Sequence, residues 1–186
     1  MPTLPSRRAT FTPLFDKLCG QAKGGPVEVV ALLDNRTRTI GAKCNALLGA
    51  SRGVYVSFVD DDDAVSDDYV AEILAAIRPT FDLDVITFKI ECRLTWKNGQ
   101  TQEAMIWPDI NDKNEEFHAG VVKRKPMQIA CWRGALARSF KWADAQYEAD
   151  TAWARQLWEE ARSSRQHKID RVLYWYRWSE TGTEAK

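Results

Sequence analysis

Apolar residues in this chain alternate between continuous runs and helical spacings. Residues 27–33 and 54–59 are β-branched and aromatic stretches, which predict buried strands. Phe11, Leu14, Phe15 and Leu18 share one helical face, and Gly24-Gly25-Pro26 breaks that helix. Residues 40–50 predict a second helix, with Gly53 following its end. Residues 69–77 predict a third, stopped by Pro79, with Ser66 as its N-cap and Asp67 and Asp68 in the first turn. Strand and helix in turn is the rhythm of a parallel sheet with covering helices.

The rhythm changes after residue 84. Residues 84–91 predict a strand, Lys97-Asn98-Gly99-Gln100 a type I′ hairpin turn, and residues 102–107 the return strand. The expected fold class is therefore α/β, with a mixed, mostly parallel sheet flanked by helices in a single domain. A polar loop over 107–116 and the basic knot Lys123-Arg124-Lys125-Pro126 come next. Residues 134–140 predict a short helix, 142–147 a loop and 151–162 a longer helix with Asp150 near its start. Residues 172–176 read as a closing strand before a polar tail. No repeat, low-complexity tract or linker interrupts the 186 residues.

The candidate chemistry sits where the second apolar run ends. Asp60, Asp61, Asp62 and Asp63 follow Gly53-Val54-Tyr55-Val56-Ser57-Phe58-Val59 directly. Ligands of open α/β sheets bind at such carboxyl ends. Carboxylates this close raise one another's pKa unless a cation joins them, and hard oxygen donors suit Mg²⁺ or Mn²⁺ completed by substrate phosphates. Composition adds little: 45% hydrophobic and 28% charged residues are ordinary for a globular protein, and a formal net charge of zero supplies no global pull toward nucleic acid or anionic membranes. No apolar run approaches a membrane span and no signal-peptide core is present, so a cytoplasmic location is expected, in the host cell if the chain is virally encoded. Cys19, Cys44, Cys92 and Cys131 are scattered, which favours reduced thiols over zinc or disulfides.

Pro2-Thr3, Asp34-Asn35, Gly41-Ala42-Lys43-Cys44-Asn45, Gly53-Val54-Tyr55-Val56 with Asp60 to Asp63, Asp150-Thr151-Ala152-Trp153-Ala154 and the end strand through Arg177 follow one another along the chain. In that order they resemble family 2 glycosyltransferases of the GT-A fold. The resemblance implies a Rossmann-like GT-A fold, a nucleotide-sugar-binding half over 1–92 and an acceptor-binding half over 93–186. It implies transfer from a nucleotide sugar, a UDP-sugar favoured, to an acceptor hydroxyl with inversion, and Mn²⁺ or Mg²⁺ as cofactor. By the resemblance, Asp62 is the main metal ligand and Asp60 binds the donor ribose or the metal. Asp34 accepts from the nucleotide; Pro2, Thr3, Arg7, Lys43, Asn45 and Asp61 belong to the donor pocket. Asp150 is the general base, with Glu148 as the alternative. Two positions depart from the family pattern: only Met1 precedes Pro2-Thr3, so the first strand is expected to be truncated, and Ala149-Asp150 stands where Glu-Asp is usual.

Other readings compete. Asp61-x-Asp63-x-Val65 fits the nucleophile motif of haloacid-dehalogenase-like phosphohydrolases. A non-catalytic nucleotide-sugar-binding relic is a third class. His118 and His167 are candidates for completing a metal shell, and Trp107, Trp132 and Trp142 for stacking on a sugar. The acceptor stays open among a glycan, a protein and a hydroxylated base in nucleic acid.

Overall fold

A computed structural model describes residues 1–79, 82–113 and 116–180. In chain order the elements are β1 (Pro2–Thr3), α1 (Arg8–Ala22), β2 (Leu32–Leu33), α2 (Ile40–Ala50), β3 (Tyr55–Val56), β4 (Ala64–Val65) and α3 (Tyr69–Ile77). The second half adds β5 (Val85–Thr95), β6 (Thr101–Pro108), β7 (Glu116–His118), β8 (Val121–Arg124), β9 (Cys131–Arg133), α4 (Gly134–Ser139), α5 (Ala149–Glu160) and β10 (Gln166–Ser179). The polar tail expected after the last strand lies, over 181–186, outside the described residues.

The main sheet runs β3-β9-β5-β6-β8-β7, with β10 laid along β5 and β4 against β10. It is mixed. Its longest ladder, β5 with β10, is parallel, as is β6 with β8, while β3–β9, β9–β5, β5–β6 and β4–β10 are antiparallel. The antiparallel share is larger than the strand–helix rhythm suggests. β1 and β2 form a separate parallel pair.

Side chains alternate along β5 and build two cores. Ile86, Phe88 and Ile90 join Leu14, Leu18, Ile73, Ile77 and Leu173 under α1 and α3. Val85 faces the other way, with Leu47, Trp132, Trp153 and Leu157 under α2, α4 and α5. Both cores draw on residues before and after 92, so the two halves are one folded unit. Fully burying each such side chain contributes roughly 1.5–3 kcal/mol.

Four local expectations are corrected. Residues 27–33 are extended but half-buried to exposed, and only Leu32–Leu33 finds a ladder partner, because β1 offers two residues. Residues 54–59 likewise pair only over β3; Val54 is exposed and Phe58 and Val59 are buried beyond the ladder. At the hairpin only Gly99 has positive φ (81°), and its amide closes on the Trp96 carbonyl at 2.9 Å. A type I′ turn needs positive φ at two residues, so this is a three-residue turn with glycine at the left-handed position. Asp68, not Ser66, precedes α3, and its side chain pairs with Arg171 (2.7 Å) rather than capping.

Candidate active site

The four aspartates leave β3 in one tight turn but meet four different environments. Asp61 is buried and held at both oxygens: Thr3 Oγ1 donates to Oδ2 and Arg7 to Oδ1, each at 2.6 Å. Fixed there, it is placed to orient the Pro2-Thr3 strand and Arg7 rather than to attack phosphorus. Arg7 also donates to Asp62 Oδ2 at 2.9 Å. Asp63 is buried and turned away from the cleft: the Tyr174 hydroxyl donates to Oδ2 (2.6 Å) and the Arg177 amide to Oδ1 (2.7 Å). The same Tyr174 oxygen accepts the Asp60 backbone N–H at 3.1 Å. Among the described residues none donates to the Asp60 carboxylate.

That difference shows in the acidities. Burial first, then the charges of Asp62, Asp61 and Asp150, push the Asp60 carboxyl up to about 7. Burial also raises Asp62, against the pull of Arg7. Asp63 is raised by burial and by Asp60, with its two hydrogen bonds opposing. The turn thus concentrates negative charge that a cation would relieve.

A cleft of ≈ 260 Å³ opens over the turn. Pro2, Thr3, Arg7 and Asp60 to Asp62 form one wall. α2 contributes Lys43, which is 2% exposed and stands 3.4 Å from Asp34. Glu148 and Asp150 face them from the start of α5. Glu148 is exposed, with a left-handed backbone (φ 58°) at the N-cap position; Asp150 is half-buried in the first turn, and its charge is felt at Asp60 and Cys44.

Two of the expected donor residues do not line this cleft. Asp34 stands behind Lys43, accepting the Arg36 amide at 3.0 Å. Asn45 gives its whole amide to the backbone of Trp142. His118 and His167 are exposed and lie elsewhere, Trp132 is core, and Trp107 carries the Lys89 and Lys168 ammonium groups over its ring at 4.4 and 5.6 Å. In the basic knot, Lys125 donates to the Ile110 carbonyl. Trp142 does line the cleft, stacked on Trp153 at 5.0 Å. The sequence places Tyr176 and Arg177 in the end strand but assigns no site role to them, to Trp178 beside them, or to the exposed Tyr147; the first three close the cleft from β10 and Tyr147 stands at its rim. A cation among aromatics at the end of a strand was the available signal.

Among the described residues no group of three His, Cys, Asp or Glu side chains is arranged to enclose a metal ion. Asp60 and Asp62 still fit a hard divalent cation as two oxygen donors, provided that a bound diphosphate and water supply the rest. Arg7, Lys43 and Arg177 line the same cleft and suit phosphate oxygens.

The fold is GT-A-like: a mixed sheet flanked by helices, with a cleft over the acidic turn. No family model matches the chain. It is similar to the Bacillus subtilis (strain 168) protein "Putative glycosyltransferase EpsH", with 26% identity over 129 residues, covering 64% of this chain and 37% of that one. Among solved structures it is similar to S. aureus TarS 1-349 (TM-score 0.66, 17% identity, 95% of this chain and 58% of that one). It also matches TarS 1-349 in complex with UDP-GlcNAc (0.56, 15%, 95% and 56%) and with UDP (0.61, 14%, 95% and 58%). The chain therefore spans under two thirds of each of these relatives. Among the described residues no helix is long and apolar enough to cross a membrane.

Proposed function

We propose that this chain transfers a sugar from a nucleotide-sugar donor, a UDP-sugar in the first instance, to an acceptor hydroxyl with inversion. The observation that carries this reading is the facing of Asp60 to Asp62 and Asp150 across one cleft that also holds Arg7, Lys43 and Arg177. Structures similar in fold hold UDP-GlcNAc and UDP, which supports a uridine nucleotide as the first donor to try. Residues 1–92 would hold the donor and residues 93–186 would present the acceptor, be it glycan, protein or hydroxylated base. A cytoplasmic setting goes with this reading.

Asp60 and Asp62 would hold Mn²⁺ or Mg²⁺, which offsets charge on the departing diphosphate. Arg7, released from Asp62, would turn to the diphosphate alongside Lys43 and Arg177. Asp150 takes the proton of the acceptor hydroxyl as its oxygen bonds to the anomeric carbon. The bond from that carbon to the diphosphate breaks in the same displacement, which inverts the centre. The half-buried position of Asp150 and its electrostatic reach to Asp60 favour it over the exposed Glu148.

The test is a panel of nucleotide sugars with and without Mn²⁺, read by thermal unfolding. A ligand at 100 times its Kd stabilises the native state by about 2.7 kcal/mol. One or more UDP-sugars should raise Tm only with the cation, and the same mixture should show slow donor hydrolysis. A panel that never shifts Tm with either cation overturns the reading.

A further inference from the structure

The segment that brings Glu148 and Asp150 to the cleft belongs to no ladder; it is gripped by the first two turns of α2. Thr39 Oγ1 donates to Asp144 Oδ1 at 2.5 Å. The Ile40 amide donates to Gln146 Oε1 at 3.3 Å, and the Gly41 amide to the Ala145 carbonyl at 3.2 Å. Asn45 binds both backbone groups of Trp142: Nδ2 donates to its carbonyl and Oδ1 accepts its N–H, each at 2.9 Å. Gly41 is dictated by space, because a Cβ there would lie 1.8 Å from the Ala143 carbonyl oxygen.

The grip reaches the base through aromatic packing. Trp142 stacks on Trp153 of α5 (5.0 Å, 19°), and Phe58, just before the acidic turn, meets both rings edge-on at 5.0 and 5.8 Å. One helix therefore carries Lys43 into the donor wall and, through Asn45 and Gly41, fixes the segment that leads to Asp150. An Asn amide offers one donor edge and one acceptor edge to a single backbone unit; Asp offers only acceptors and Ala neither.

We propose that Asn45 and Gly41 are positioning residues for the transfer reaction: touching neither donor nor acceptor, they set the placement of Asp150 against the wall formed by Lys43, Asp60 and Asp62. The inference rests on the function proposed above. Misplacing a reacting group by about 1 Å can cost about 10²-fold in rate, so a modest loosening of this segment is readable.

The experiment compares wild type, Asn45→Ala, Gly41→Ala and Leu18→Ala, the last a destabilised control in the opposite core. Amide hydrogen exchange over 142–148 should quicken in Asn45→Ala and not in Leu18→Ala, while exchange over 60–63 stays as in wild type. With Mn²⁺ and donor, kcat for transfer should fall about 10- to 100-fold in Asn45→Ala, with donor KM within about twofold of wild type. Leu18→Ala, assayed below its unfolding range, should keep wild-type kcat. If Gly41→Ala does not fold, Asn45→Ala carries the test. A raised donor KM at unchanged kcat would return Asn45 to the donor pocket and overturn the proposal. So would unchanged exchange over 142–148, or an equal kcat loss in Leu18→Ala. A wild-type protein that turns over no nucleotide sugar sinks the proposed function itself. Active wild type with unaltered Asn45→Ala kinetics sinks the positioning role alone.

Discussion

Tyr174→Phe isolates the contact that shapes the acidic turn. The ring is fully buried, so phenylalanine fills the same space and only the hydroxyl is lost. That hydroxyl donates to Asp63 Oδ2 at 2.6 Å and accepts the Asp60 amide at 3.1 Å. A hydrogen bond to a charged group contributes about 1.5–3 kcal/mol net, and an orphaned buried amide costs about 1–3 kcal/mol. The Arg177 amide still serves the other Asp63 oxygen, so we take about 3 kcal/mol as the expected loss at pH 8.5. In a chain of 186 residues that is a fall in Tm of roughly 6–12 °C. The loss should shrink at pH 5.5. The Asp63 carboxyl is already raised by burial and by Asp60; without its donor it rises further, and once protonated it no longer needs one. Urea unfolding of both proteins at the two pH values measures this. A loss under about 0.5 kcal/mol at pH 8.5, or the same loss at both, would refute the reasoning.

Arg7→Gln should let Mn²⁺ alone bind roughly two- to fivefold tighter, as expected from removing a partly exposed pair worth up to about 1 kcal/mol, while weakening Mn²⁺-dependent UDP binding. Titration calorimetry reads both, and a weaker binding of Mn²⁺ alone would contradict the competition for Asp62. Asp150→Asn should keep donor affinity and lose about 10²–10⁴-fold in transfer, with Glu148→Gln near wild type. The reverse pattern in single-turnover assays would move the base to Glu148. Asp60 titrates at about 7 in the folded chain against an ordinary value of 3.8, so between pH 5 and 6 the folded state binds the extra proton and stability falls as pH rises. The urea midpoint of Asp60→Asn should fall less steeply over that range; parallel slopes would remove Asp60 as the cause.

What the sequence made legible was whatever depends on neighbours close in the chain. The apolar spacing of 40–50 and 69–77 became α2 and α3 at those residues, and Gly99 placed the hairpin between β5 and β6. The acidic run after a hydrophobic stretch located the cleft, and Pro2-Thr3, Lys43 and Asp150 line it. What stayed hidden depends on partners far along the chain. Residues 27–33 and 54–59 carry strand composition, yet a strand needs a mate, and each stretch finds a ladder partner over only two residues.

Asn45 shows the same limit at the site. Its place in a Gly-x-Lys-x-Asn segment suggests ligand contact, and only the fold reveals that its amide is spent on Trp142, 97 residues away. The fourth aspartate is the counterpart: Asp63 looks like its three neighbours in sequence, but Tyr174, 111 residues on, turns it into the anchor of the turn. A run of identical carboxylates therefore divides its labour according to which strand arrives beside it. Asp61 braces Arg7 and Thr3, Asp63 fastens the turn to β10, and Asp60 and Asp62 are left facing the cleft with charge to be neutralised. It follows that Asp63→Asn and Asp62→Asn, alike on paper, should fail differently. The first should lower Tm by disturbing one buried and one partly buried hydrogen bond; the second should leave Tm near wild type and abolish the cation-dependent stabilisation by donor. Equal effects on Tm would mean that the turn is held as one unit and that no such division exists.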